Sequence, residues 1–234
     1  MHVFVALADN QHQGIVPVPA KLGNGDAPAR NLYWGAAFGL KSYFRSSNDW
    51  QLLSSGSGPK PAILERCVFK HRGDVVYLVA DAYQGSQIRE AVSDFLSSAA
   101  GLDPQSVSVK TSQGDVSLMS GGAADLIVYV GHDAFMDFQI ASIAGANGTK
   151  PRRTIILACA SKPYFSPYLK RAGADPLLWT TVLMAPEAYT LKAALDGWMA
   201  GEDGARVRDR AAAAYDKYQH CGLRAAQRLF ATGW

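Results

Sequence analysis

Four runs constrain the fold of this chain more than anything else in it: "VFVALAD" (Val3 to Asp9), "DVVYLVADAY" (Asp74 to Tyr83), "ADLIVYVGH" (Ala124 to His132) and "RRTIILAC" (Arg152 to Cys159). Each is apolar almost without interruption and rich in β-branched residues. A strand with one wet face alternates apolar and polar residues, so unbroken runs of this length mark strands covered on both faces. "PLLWTT" (Pro176 to Thr181) reads as a fifth. Between them lie segments of helical periodicity. "SQIREAVSDFLSSAAG" puts Ile88, Ala91, Val92, Phe95, Leu96 and Ala99 on one face and ends at Gly101. "KPYFSPYLKRAG" predicts another helix, and three more are predicted over Pro186 to Met199, Gly204 to Gln219 and Gly222 to Phe230. Strands alternating with helices predict an α/β fold, a mainly parallel sheet with helices on both faces, as one domain over residues 1–234.

The remaining segments are less regular. "NLYWGAAFGLKSYF" has Leu32, Ala36, Leu40 and Phe44 four apart and predicts a helix with Asn31 near its N-cap. "SSGSGPKP" (Ser54 to Pro61) reads as a flexible link or hairpin tip, and "SVSVKTSQGDVSLM" as a small hairpin or a parallel strand. "DAFMDFQIASIAGANG" predicts a short helix closed by Gly145 and Gly148. The stretch from Asn10 to Arg30 has no periodicity, and loops of that length in compact domains are commonly functional.

Charge and cysteine content narrow the partners. A net charge of +3 on 234 residues is too small to argue for nucleic acid or a membrane surface. The basic run "KPRR" (Lys150 to Arg153) reads as a solvated loop. Three cysteines at irregular spacing, Cys67, Cys159 and Cys221, make neither a disulfide framework nor a zinc site. Reduced thiols and a cytoplasmic location are therefore expected, with no cofactor or metal. "MHVFVALADN" lacks the basic and apolar regions of a signal peptide, and no stretch approaches the ~20 apolar residues that span a bilayer.

In an open parallel sheet, ligands bind outside the carboxyl ends of the strands. Reading those ends gives Asp9, then Asp81 to Gln84, then Gly131-His132-Asp133, then Cys159-Ala160-Ser161, then Thr180 and Thr181. A histidine and a cysteine thus close strands that follow each other in the chain. If the two strands pair, their tips lie about 5 Å apart. A free thiol is mostly protonated at neutral pH, with pKa near ~8.5, and an adjacent imidazole can take its proton and later pass one to a leaving amine. His132 and Cys159 are the candidate catalytic pair. Cys67 and Cys221 lack that setting and read as structural; His12 is the only other histidine near the rim.

At these residues the sequence resembles the caspase-like cysteine peptidases, a superfamily that includes the caspases, legumain-like and gingipain-like enzymes and the bacterial CHAT domains. "DLIVYVGH" and "TIILACAS" stand where that superfamily has a strand ending in His-Gly and another ending in Ala-Cys. "GADPLLWTTVLMAPEAYTLKAALDGW" is similar to the strand, turn and helix that follow the nucleophile in CHAT domains. The resemblance implies a three-layer sandwich and a peptidase acting on protein or peptide substrates, with His132 as general base and acid and Cys159 as nucleophile. Three departures accompany it. Asp133 replaces the glycine whose N–H helps form the oxyanion hole, the interval of 27 residues from His132 to Cys159 is short, and Leu157 stands where caspases have glutamine. Backbone N–H groups of Gly131, Asp133 and Cys159 are the candidate oxyanion donors. Asp9, Asp81 and Asp133 at the rim suggest a basic P1 side chain, with Thr180 and Thr181 as further binding residues, and Tyr33 and Trp34 are candidates for a cleft wall.

The alternative is a catalytically inactive caspase-like module that acts in protein–protein interaction or signalling. Asp133 and the absence of an evident processing linker favour it. A nucleotide binder is a weaker third reading, because "GNGDAP" (Gly23 to Pro28) matches neither G-x-G-x-x-G nor a Walker loop.

Overall fold

The computed structural model describes residues 1–111, 114–140, 145–147 and 151–234. Its centre is a mostly parallel sheet of eight strands. Five of them form the parallel block: β1 (His2–Ala6), β4 (Tyr77–Tyr83), β7 (Leu126–Val130), β8 (Arg153–Leu157) and β9 (Asp175–Thr180). An antiparallel hairpin, β2 (Trp50–Gly56) and β3 (Ile63–His71), extends the sheet beyond β4, so the Gly/Ser/Pro stretch after Ser54 lies at a hairpin tip. The two-residue strand β10 (Phe230–Ala231) pairs antiparallel with β9 at the other edge. The order is β10-β9-β8-β7-β1-β4-β3-β2. From β1 the chain passes to the edge strand β2 and returns through β3 to β4 beside β1, then crosses to the other side of β1 and continues outward through β7, β8 and β9. That reversal puts a crevice outside the carboxyl ends of β1 and β7.

The unbroken apolar runs are explained by what covers them. Odd-numbered residues of β1 (Val3, Val5) and even-numbered residues of β7 (Leu126, Val128, Val130) face α1 (Leu40–Ser46), α4 (Ala188–Met199), α5 (Gly204–Gln219) and α6 (Leu223–Leu229). Phe4, Ile127, Tyr129 and Ile156 face α2 (Ile88–Ala99) and α3 (Ser161–Ala172) on the other side. The fold class read from the sequence is therefore the one observed: α/β, a mainly parallel sheet between two helical layers. Phe4, Phe95, Tyr129 and Phe165 are fully buried, each contributing about 2–3 kcal/mol by removal from water. The ambiguous segment after Gly101 is a hairpin, β5 (Pro104–Thr111) and β6 (Gly114–Gly121). It forms a second, two-stranded sheet whose Val109 and Leu118 pack on Val68 of β3 and Val79 of β4.

Two expected helices are not formed as read. The segment from Asn31 to Gly39 is a series of turns, and the helix begins only at Leu40. The reason is local competition for backbone groups. The Asn31 side chain accepts from the N–H groups of Ala8 (3.0 Å) and Tyr33 (3.1 Å) and donates to the carbonyls of Ala8 (2.8 Å) and Asn24 (3.0 Å). Asn31 is thus no helix cap but a clamp that holds the tip of β1 against the long loop. Among the described residues that follow His132 in the predicted helix, the helical part is the single 3-10 turn Ala134–Met136. Part of the helix predicted there, including its closing Gly148, lies outside the described residues, as does Lys150 of the basic run. No helix is long and apolar enough to cross a membrane among the described residues.

Candidate active site

Parallel pairing of β7 with β8 sets Val130 opposite Leu157. His132 and Cys159 each stand two residues beyond that pair, so the register brings them level at neighbouring strand tips. Both line one cleft of about 270 Å³, which Gly14, Ile15, Val16 and Val18 of the long loop and Leu183 to Pro186 also line. Tyr33 also lines it, whereas Trp34 is fully buried and donates to Glu65 Oε2 at 2.7 Å. Gly131 lets the chain leave β7 at this point. Its φ is +152°, and a Cβ there would sit 2.9 Å from the Ala6 carbonyl oxygen.

Cys159 is held in the turn between β8 and α3. Ala160 takes up a left-handed conformation (φ +47°) and donates its N–H to the Val182 carbonyl at 2.9 Å. A non-glycine residue there costs about 1–2 kcal/mol. The neighbouring bonds that hold the turn are buried. Thr180 Oγ1 accepts from Ser161 N–H (3.0 Å) and donates to the Ala158 carbonyl, while Thr180 N–H donates to Ser161 Oγ (3.0 Å). The thiol itself lies between the Met184 N–H (3.4 Å) and the Met184 carbonyl (3.5 Å). Burial holds the thiol pKa above its ordinary value; the Met184 N–H opposes that shift and the Asp133 carboxylate adds to it. At neutral pH the resting group is therefore a thiol.

Asp137 stands where a base acting on that thiol needs support. Its Oδ2 lies 2.9 Å from His132 Nε2 and accepts the Gly14 N–H at the same distance. As an acceptor for the peptide N–H, that oxygen also receives the Nε2 proton, which leaves Nδ1 as the basic atom of the ring. The 3-10 turn brings Asp137 back beside His132. Asp133 caps the turn by accepting from Phe135 N–H (3.0 Å), and the Phe135 ring stacks on Tyr168 of α3 with centroids 4.2 Å apart. Tyr129 OH donates to the His132 carbonyl at 2.8 Å and fixes the backbone. Asp137 was not singled out by sequence reasoning. The signal available was Asp133 as a capping residue, which closes a short turn and returns the chain after one revolution.

The candidate oxyanion donors divide. Gly131 N–H is spent on the Leu157 carbonyl (3.2 Å), so it does not face a substrate. Among the described residues, no protein acceptor takes the N–H groups of Asp133 and Cys159. The Asp133 N–H thus remains a candidate donor although the residue replaces a glycine. The Asp133 side chain is fully buried with Oδ2 unpartnered, and its pKa is pushed up to about 7 by burial, against the Phe135 N–H and with the Asp137 charge adding.

The other predicted binding residues are placed elsewhere. Asp81 lies in the body of β4, buried against His2 Nε2 (2.9 Å) and Arg66 (2.6 Å to both Nε and Nη2). Asp9 accepts from the N–H groups of Gln11 and His12 and lies 2.9 Å from His12 Nδ1, beside a separate cavity of about 350 Å³ bordered by Gly23 to Asp26. Thr180 is consumed in the turn lock, and Thr181 OH donates to the Arg228 carbonyl at 2.7 Å. The acidic rim proposed for a basic P1 side chain is thus not assembled, because folding turns each carboxylate to a protein donor or into the interior. Among the described residues no group of three or more His, Cys, Asp or Glu is placed to hold a metal ion. Comparisons of the chain with protein-family models, with curated proteins and with solved structures give no match in any of the three.

Proposed function

We propose that the protein is a cysteine peptidase of the caspase-like type, acting on protein or peptide substrates from the carboxyl edge of its parallel sheet. The observation that carries this reading is the level placement of His132 and Cys159 in one cleft, with His132 Nε2 held by Asp137. In the reaction, His132 Nδ1 takes the Sγ proton as sulfur attacks the peptide carbonyl. The tetrahedral oxyanion lies towards the Asp133 and Cys159 N–H groups. Collapse breaks the C–N bond, and the leaving amine takes its proton from His132. Water, deprotonated by the same ring, then hydrolyses the thioester. Asp137 stabilises the imidazolium formed in between.

The test is labelling by peptidyl chloromethyl ketones, read by mass spectrometry, together with peptide hydrolysis. Both are expected to depend on Cys159 and to vanish in Cys159→Ala. Full peptidase activity in that variant ends the proposal.

A second reading, an inactive module that binds protein partners, is favoured by one observation. The thiol already makes two contacts with the Met184 backbone and has a raised pKa. A folded protein whose Cys159 resists iodoacetamide as well as the peptide reagents supports that reading.

A further inference from the structure

We propose that the cleft selects a peptide with an uncharged apolar side chain, such as Leu, Met or Phe, on the acyl side of the cleaved bond. This rests on the peptidase reading above and adds the substrate class. The cleft around the thiol is lined by Ile15, Val16, Leu32, Leu183, Met184 and Pro186. Among the described residues, no lysine, arginine, aspartate or glutamate lines it. The nearby acidic groups have other occupations: Asp133 is fully buried, and Asp137 is bonded to His132 and Gly14.

Two of these apolar residues are held in water. Val16 is 81% exposed and Leu183 68% exposed, and both line the same cleft as Cys159. Apolar side chains left this exposed beside a thiol add little to the core, and they gain contacts when an apolar ligand occupies the cleft. A charged side chain entering this space would lose water and find no partner, which penalises it relative to an apolar one. The same chemistry disfavours Asp and Lys alike.

The experiment uses the full chain and peptidyl chloromethyl ketones that differ only in the residue next to the reactive group: Leu, Met, Phe, Lys and Asp. The rate of Cys159 labelling is read by mass spectrometry. Leu, Met and Phe reagents are expected to react roughly ten- to a hundredfold faster than Lys or Asp reagents. Leu183→Asp and Val16→Asp, at exposed sites where folding is insensitive, are expected to shrink the Leu rate and raise the Lys rate. Lys or Asp reagents that react as fast as Leu overturn the specificity while leaving the peptidase reading intact. If none of the peptide reagents reacts although iodoacetamide modifies Cys159, the peptidase reading itself falls.

Discussion

Asp137 Oδ2 lies 2.9 Å from His132 Nε2 and 2.9 Å from the Gly14 backbone nitrogen, so one carboxylate oxygen joins the candidate general base to the loop that walls the cleft. A histidine beside a thiol is basic at whichever ring nitrogen lacks the proton, and this contact selects Nδ1. The same atom ties the orientation of the ring to the position of the long loop.

Removing that tie is expected to reduce the rate without unfolding the protein. Asp137→Ala should lower kcat/KM by about two orders of magnitude, since the imidazolium formed in the reaction loses its carboxylate. Asp137→Asn, which still accepts from Nε2, should lose less. Gly14→Ala is a second route to the same effect, because its Cβ would come within 2.3 Å of Asp137 Oδ1. Steady-state kinetics with a parallel thermal melt check this; an unchanged kcat/KM in a folded Asp137→Ala variant removes Asp137 from the mechanism.

The buried carboxyl of Asp133 gives a pH dependence of opposite sign to the usual carboxylate. Its folded pKa, about 7, lies above the unfolded value, so the native state binds more protons than the unfolded chain between the two. Stability from this group is present below the unfolded pKa and declines as pH rises through about 7. Asp133→Asn keeps an acceptor for the Phe135 N–H and removes the charge. It is expected to be more stable than the wild type at about pH 8, by an amount on the order of a few kcal/mol, with little difference near pH 4. Iodoacetamide titration should also find the Cys159 thiol more acidic in this variant, since the Asp133 charge holds it up. Denaturant unfolding at the two pH values decides the first point.

The His2, Asp81 and Arg66 cluster gives the ordinary acid sensitivity. Asp81 is held below the usual carboxylate range: burial pushes it up, but Arg66 and His2 outweigh burial. Burial also lowers the His2 pKa. For Asp81, stability is present above the unfolded pKa and is lost as pH falls through the folded one. For His2, the unfolded chain binds the extra proton, so stability is lost as pH falls from the ordinary histidine value. Asp81→Ala leaves the partly buried Arg66 without its carboxylate and should cost about 3–5 kcal/mol. Denaturant curves on this variant measure it, and a loss well under ~1 kcal/mol contradicts the account.

Thr180 is expected to act on the nucleophile from a distance. Thr180→Val keeps the shape but strips the Ser161 N–H and the Ala158 carbonyl of their partner. A cost of about 1–3 kcal/mol follows, with an altered alkylation rate at Cys159 because the turn that carries it loses its lock. Thermal melts and alkylation kinetics on one preparation read both effects.

The five strands of the parallel block and the placement of His132 and Cys159 at strand ends were legible in residue order, because two covered faces leave few polar positions in a strand and the first residues beyond it stand out. Helices with a full apolar stripe, such as the one from Ile88, were legible for the same reason. The turns from Asn31 to Gly39 were not, since apolar spacing says nothing about a side chain that outcompetes the helix for the Ala8 and Tyr33 backbone groups. Nor was the two-residue strand β10, too short for any pattern. What each carboxylate does was decided by tertiary structure alone. Asp81 looks like a rim residue until register sets it against Arg66 from the next strand and His2 lies against it from 79 residues away in the chain. Asp137 is one of several acids in an irregular stretch until a single turn, pinned by Phe135 on Tyr168, carries it to His132. Short-range order shows where a strand ends; only packing at a distance shows which charges remain free there.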